Sequence, residues 1–132
     1  MCKLLLVDDE EMIRVCVGAI LEMTGHEVIF ARDGQEAIDI YEKNRDQINL
    51  VVMDITMPKM DGVDAAKVMK KIDPSVKVVL MSGQTERDFN EATADAFIPK
   101  PFSARDICGV VQRILGRDLI PSVDLAAMGA TG

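Results

Sequence analysis

Short apolar runs alternate along this chain with amphipathic stretches. Leu4-Leu5-Leu6-Val7 runs straight into Asp8-Asp9, and Leu50-Val51-Val52-Met53 runs straight into Asp54. An unbroken apolar run of this length reads as a strand buried on both faces. The spacing predicts strands over Lys3–Val7 and Glu27–Ala31, a central strand ending at Asp54, and further strands over 77–81 and 96–98. Helical periodicity fills the intervals. A first helix is predicted over 10–24, with Met12, Cys16, Ala19, Ile20 and Met23 on its apolar face and Gly25 as its stop. Asp33 and Glu36 have the spacing of a capping box for a second helix carrying Ala37, Ile40 and Tyr41 and ending near Asn44. A third helix is predicted over Gly62–Ile72, broken by Asp73-Pro74. The polar stretch 85–95 leaves room for a short helix only. Ser103 is placed to cap a last helix whose Ile107, Val110, Val111, Ile114 and Leu115 recur at helical spacing before Gly116.

Strand and helix alternate five times, the (βα)5 pattern of an α/β fold with a doubly wound parallel five-stranded sheet. The domain predicted from this pattern spans 1–116. Residues 117–132 are small, polar and without period after Ile120, and read as a disordered tail.

Composition narrows the function. The chain has 132 residues, 48% of them hydrophobic and 28% charged, which suits one globular domain with a single core. A net charge of −7 argues against direct binding of nucleic acid, which needs Lys and Arg to neutralise phosphates. No apolar run has the length of a membrane span, and the first strand begins too early for a signal peptide. Cys2, Cys16 and Cys108 are scattered and unpaired in pattern, as in reduced proteins, so the expected location is cytoplasmic. Cys16 and Cys108 are expected as core filler within helices, and His26 as a surface residue of a turn.

In a parallel sheet, the ends of the first, third, fourth and fifth strands open at one edge, where ligands bind in open α/β sheets. That gathers Asp8, Asp9, Asp54, Ser82 and Lys100. Each has a plainer role available: Asp8-Asp9 as helix caps, Ser82 as a strand-end hydroxyl, Lys100 as a solvated charge. Two bare carboxylates about 4 Å apart repel by roughly 4 kcal/mol at an effective dielectric of 20. Lys100 supplies one offsetting charge. A hard divalent cation supplies two, and Mg²⁺ accepts one or two carboxylates while leaving room for phosphate. A carboxylate in such a site is also a nucleophile toward phosphorus. The cluster thus holds the parts for phosphoryl transfer.

Leu-Leu-Val-Asp8-Asp9-Glu10, Met53-Asp54-Ile-Thr-Met-Pro-Lys-Met-Asp-Gly62, Met-Ser82-Gly83 and Phe97-Ile-Pro-Lys100-Pro101-Phe102 follow one another in order, each at a predicted strand end. In these motifs, over residues 3–115, the chain resembles the receiver domain of two-component response regulators. The resemblance implies a flavodoxin-like fold with strand order 2-1-3-4-5 and a phosphorylation-dependent switch in a phosphorelay, with no enzymatic turnover beyond its own phosphorylation and dephosphorylation. Asp54 would accept phosphoryl from a phosphohistidine on a histidine kinase or histidine phosphotransfer protein. Asp9 would bind Mg²⁺ directly, with Asp8 beside it, Asp54 in the same shell and Thr56 giving its backbone carbonyl. Ser82 and Lys100 would contact the phosphoryl oxygens, Phe97 would be the aromatic switch, and Pro101 would follow a cis peptide. A downstream effector or a weak homodimer is implied as a further partner.

The chain departs from the pattern between Ser82 and Phe97. The segment is a few residues shorter than in the family and lacks the Gly-Ala-x-Gly that often precedes the aromatic strand, so a shortened fourth helix is expected. That departure unsettles the dimer contacts the family commonly makes there. Residues 73–83, Asp-Pro-Ser-Val-Lys-Val-Val-Leu-Met-Ser-Gly, resemble receivers attached to hybrid sensor histidine kinases as much as free ones. A remote alternative is a haloacid-dehalogenase-like phosphatase, but that family needs an acid two residues after its nucleophile, where this chain has Thr56.

Overall fold

The computed structural model describes residues 2–83 and 94–116. Its elements are β1 (Lys3–Val7), α1 (Glu11–Met23), β2 (Glu27–Ala31), α2 (Gly34–Asn44), β3 (Leu50–Asp54), α3 (Gly62–Ile72), β4 (Val78–Ser82), β5 (Ala96–Pro99) and α4 (Ala104–Gly116). The sheet order is β2-β1-β3-β4-β5, and every neighbouring pair is parallel. The doubly wound α/β class and the 2-1-3-4-5 order are therefore as expected.

Alternation along the strands divides the core. Leu5, Val7, Val51, Met53, Val78 and Leu80 point to one face and pack with Ala37, Ile38 and Tyr41 of α2 and Ala65, Ala66 and Met69 of α3. Leu4, Leu6, Val52, Val79 and Met81 point to the other and pack with Val17 and Leu21 of α1 and Ile107, Val111 and Ile114 of α4. All ten residues of β3 and β4 are buried, while the edge strands are partly exposed at Glu27, Phe30 and Pro99. Pro99 lies on an edge strand, where its missing N–H breaks no inner ladder.

Capping fixes where the helices begin. The Asp33 carboxylate accepts from the Glu36 N–H at 2.8 Å, and Asp61 accepts from Asp64 at 2.8 Å. Ser103 and Asp106 cap α4 reciprocally: Ser103 Oγ accepts from the Asp106 N–H at 3.0 Å, and the Asp106 carboxylate accepts from the Ser103 N–H at 2.9 Å.

The predicted face of α1 is wrong. Met12 is 75% exposed and Met23 85%, and Cys16 and Ala19 are also exposed. The helix instead buries Val17, Gly18 and Leu21, with Ile13 and Ile20 half-buried against the core. It is apolar almost all round, so periodicity does not select a stripe. Cys16 is accordingly not core filler, whereas Cys108 is half-buried and Cys2 buried. His26 is half-buried as well, not a plain surface residue, and burial pushes its pKa down. β4 sits one residue later than predicted, so Ser82 is its last residue. The shortened fourth helix falls largely on residues 84–93 and the tail on 117–132, both outside the described residues.

Candidate functional site

Asp54 is the last residue of the central strand and is 4% exposed. The chain keeps strand pairing one residue further, with Ile55 N–H bonded to the Met81 carbonyl at 2.9 Å, and then turns away. The turn returns at Gly62, whose N–H bonds the Ile55 carbonyl at 2.8 Å. A Cβ at Gly62 would collide with the Asp54 carbonyl oxygen, so only glycine fits this close approach. Lys59 sits within the turn at φ 71.

Asp8 follows β1 and has no exposed surface. Its N–H bonds the Ala31 carbonyl at 3.2 Å. One of its carboxylate oxygens accepts from the Glu10 N–H at 2.9 Å, and the other faces Lys100 Nζ at 3.4 Å. Lys100 Nζ also lies 3.3 Å from the Asp54 carboxylate, so a single ammonium serves two buried acids. The Lys100 N–H donates to the Ser82 carbonyl at 2.6 Å, fixing the ends of β4 and β5 together, and the Lys100–Pro101 peptide is cis. Ser82 is 2% exposed. Asp9 is exposed, but one carboxylate oxygen from each of Asp8, Asp9 and Asp54 lies within 4.8 Å of the others. Above them opens a cleft of about 430 Å³ lined by Asp9, Glu10, Asp54, Thr56, Gly83 and Lys100.

Phe97 stands apart from this group. It pairs in register with Leu80, two residues before Ser82, so Phe97 and Ser82 project to the same face of the sheet. Phe97 is half-buried and packs against the core cluster on the α2 and α3 side.

Electrostatics follow from three carboxylates around one ammonium. Burial, and then the charge of Asp8, push the Asp54 carboxyl up to about 6, although Lys100 and a backbone hydrogen bond from Thr56 pull the other way. Burial alone would lower the Lys100 ammonium, but Asp54 and Asp8 overcome it and hold its pKa above the ordinary value. The donor set is all oxygen and carries two uncompensated negative charges, which fits a hard divalent cation such as Mg²⁺.

Two contacts at this site were not legible in the sequence. The Glu10 main chain occupies one Asp8 oxygen, and the Arg14 guanidinium donates to the Asp8 carbonyl at 2.6 Å. Both involve backbone atoms, which leave no mark in a residue pattern.

The response regulator receiver domain family model matches residues 4–112. The transcriptional regulatory protein CpxR of Escherichia coli (strain K12) is 35% identical over 120 residues, covering 89% of this chain and 50% of that protein. The chemotaxis protein CheY of Bacillus subtilis (strain 168) is 35% identical over 118 residues, covering 86% of this chain and 97% of that protein. The sensor kinase CckA of Brucella abortus is 36% identical over 115 residues, 84% of this chain but 12% of the kinase. The chain thus spans about half the length of CpxR. Among solved structures, a response regulator receiver domain protein from Clostridium thermocellum superposes with a TM-score of 0.85 at 29% identity, covering 91% of this chain and 98% of that one. TrrA from Thermotoga maritima, solved in complex with Mg²⁺ and BeF, gives 0.80 at 28% identity, covering 86% and 99%.

Proposed function

The chain belongs to the response regulator receiver domain family of two-component systems, and from that premise we propose that Asp54 is its phosphoacceptor. The observation that carries this reading is the placement of Asp54: a buried carboxylate at the end of the central strand, with Lys100 Nζ at 3.3 Å and an open cleft above. Its domain class is that of a phosphorylation-dependent signalling switch, not of an enzyme with turnover.

The donor is a phosphohistidine of a histidine kinase or histidine phosphotransfer protein. One Asp54 oxygen attacks phosphorus, the N–P bond breaks, and its electron pair leaves with the imidazole, which takes up a proton. Asp8, Asp9, Asp54 and the Thr56 carbonyl would hold Mg²⁺, which when bound would supply positive charge against the phosphoryl oxygens. Lys100, already aimed at Asp54, pairs with the new phosphate, which brings nearly two negative charges and three acceptor oxygens. The Ser82 hydroxyl donates to one of these oxygens. Phe97 shares Ser82's face of the sheet, and it moves into the space that Ser82 vacates. The output passes to an effector or a second copy.

No helix among the described residues is long and apolar enough to cross a membrane, which is consistent with a cytoplasmic site of action. The match to CckA supports a second reading, a receiver within a longer hybrid kinase, for the same chemistry. Acetyl phosphate with Mg²⁺ tests the assignment. Intact mass should rise by one phosphoryl group that hydroxylamine removes, and Asp54→Asn should take up none. A hydroxylamine-resistant label, or one retained in Asp54→Asn, would reassign the acceptor.

A further inference from the structure

The cluster leaves one placement unexplained. Asp8 is locked through its N–H and both carboxylate oxygens. Asp54 is locked by the strand it ends and by Lys100. The Asp9 carboxylate is exposed, and no hydrogen bond or ion pair holds it among the described residues. Its direction therefore comes from the backbone alone. The relevant backbone unit is the Asp8–Asp9 peptide, whose carbonyl is the Asp8 oxygen bonded by Arg14 Nη1 at 2.6 Å.

Arg14 is well placed for this. Its own N–H bonds the Glu10 carbonyl at 3.1 Å and closes the first turn of α1, so its backbone is fixed before its side chain reaches back. The helix starts at Glu11 without a side-chain cap from Glu10, and the turn between β1 and α1 is held by the Asp8 carboxylate on the Glu10 N–H and, from the helix side, by Arg14. The half-buried guanidinium thus joins the first turn of α1 to the peptide plane from which Asp9 projects.

We propose that Arg14 is a positioning residue for the cation: by bonding the carbonyl of the Asp8–Asp9 peptide it holds the Asp9 carboxylate toward Asp8 and Asp54. This rests on the reading of the acidic cluster as the Mg²⁺ site. The two roles open to Arg14 differ in sign. As a nearby positive charge it would repel Mg²⁺, and its removal would tighten binding. As a brace, its loss loosens Asp9 and weakens binding, as loss of outer-shell partners does by roughly 10-fold or more.

The test is calorimetric titration of the full chain with Mg²⁺ alone, for the parent, Arg14→Met, Arg14→Lys and Asp9→Asn, with backbone amide spectra of each metal-free protein. The expected result is a loss of about 10-fold in affinity for Arg14→Met, a smaller loss for Arg14→Lys, and amide changes concentrated at residues 8–10 with the sheet amides unmoved. Acetyl phosphate labelling of Arg14→Met should recover at high Mg²⁺, since Asp54 itself is intact. Unchanged or tighter Mg²⁺ binding in Arg14→Met, with Asp9→Asn weakened, overturns the brace alone. Parental affinity in Asp9→Asn overturns the metal-site reading and the brace with it. Should Arg14→Met fail to fold, Arg14→Lys decides: parental affinity with shifted residue 8–10 amides counts against the proposal.

Discussion

At the amino edge of the sheet, Lys70 faces one carboxylate; at the carboxyl edge, Lys100 faces two, with a third alongside. Lys70 Nζ donates to the Val76 carbonyl at 2.6 Å and lies 3.5 Å from Asp95, whose carboxylate also accepts from the Val78 N–H at 2.8 Å. Both partners keep some solvent, and the charges cancel one for one. The Lys100 cluster is drier, with Asp8 wholly buried, and its charges do not cancel. The same ion types thus do two jobs. The balanced pair ties α3 to the starts of β4 and β5. The unbalanced cluster holds electrostatic repulsion that a bound cation would relieve, the kind of imbalance that marks a candidate functional site.

Removing the Lys100 ammonium should have the largest effect on stability. Lys100→Met leaves two buried acids unpaired, and breaking such a pair costs about 3–5 kcal/mol. Urea unfolding at pH 7.5 without divalent cations should show that loss, and acidification to pH 5 should recover much of it as an acid takes up a proton. A loss as small as that of an exposed pair would erase the contrast between the two edges.

Asp54→Asn should move stability the other way. Asp54 titrates near 6 in the folded chain and in the ordinary carboxylate range when unfolded. Across that window the unfolded chain gives up its proton first, so stability falls as pH rises, and the penalty is complete above about 6. A shift of about two units at 1.36 kcal/mol each makes the gain in Asp54→Asn about 2–3 kcal/mol at pH 7.5 without Mg²⁺. The gain should vanish near pH 4 and shrink when Mg²⁺ is added. Unfolding midpoints at the two pH values read it directly, and equal gains at both would remove the electrostatic account.

The smallest change belongs to the balanced edge. Asp95→Asn keeps an acceptor for the Val78 N–H and loses only the partly solvated ion pair with Lys70, worth about 0.5–1 kcal/mol. Its Mg²⁺ titration should match the parent. A destabilisation above about 2 kcal/mol would place it with the buried cluster instead.

How much was legible in the sequence varied with how sharply polarity changes along the chain. Leu50 to Asp54 passes from fully apolar to charged in one step, so the central strand, its end and the acidic residue there could be read directly. The same holds for Val7-Asp8. Lys100 and its partners lie far apart in sequence, yet parallel topology alone brings their strand ends to one edge. Where the chain is apolar almost all round, as in α1, periodicity carries little information and does not single out Val17 and Leu21 as buried. The brace by Arg14 was out of reach for another reason: its acceptor is a carbonyl, which every residue has.

The hydrogen bond from Gly62 to Ile55 pins both ends of the loop that follows Asp54. Added residues between Pro58 and Asp61 would extend a closed excursion and leave its base unmoved, and each doubling of such a loop costs only about 0.6 kcal/mol. A peptide grafted at the tip of this loop should therefore leave Asp54 where it is. Gly62 is held fast, because any side chain there would strike the Asp54 carbonyl, and Asp61 beside it is held by its cap on α3.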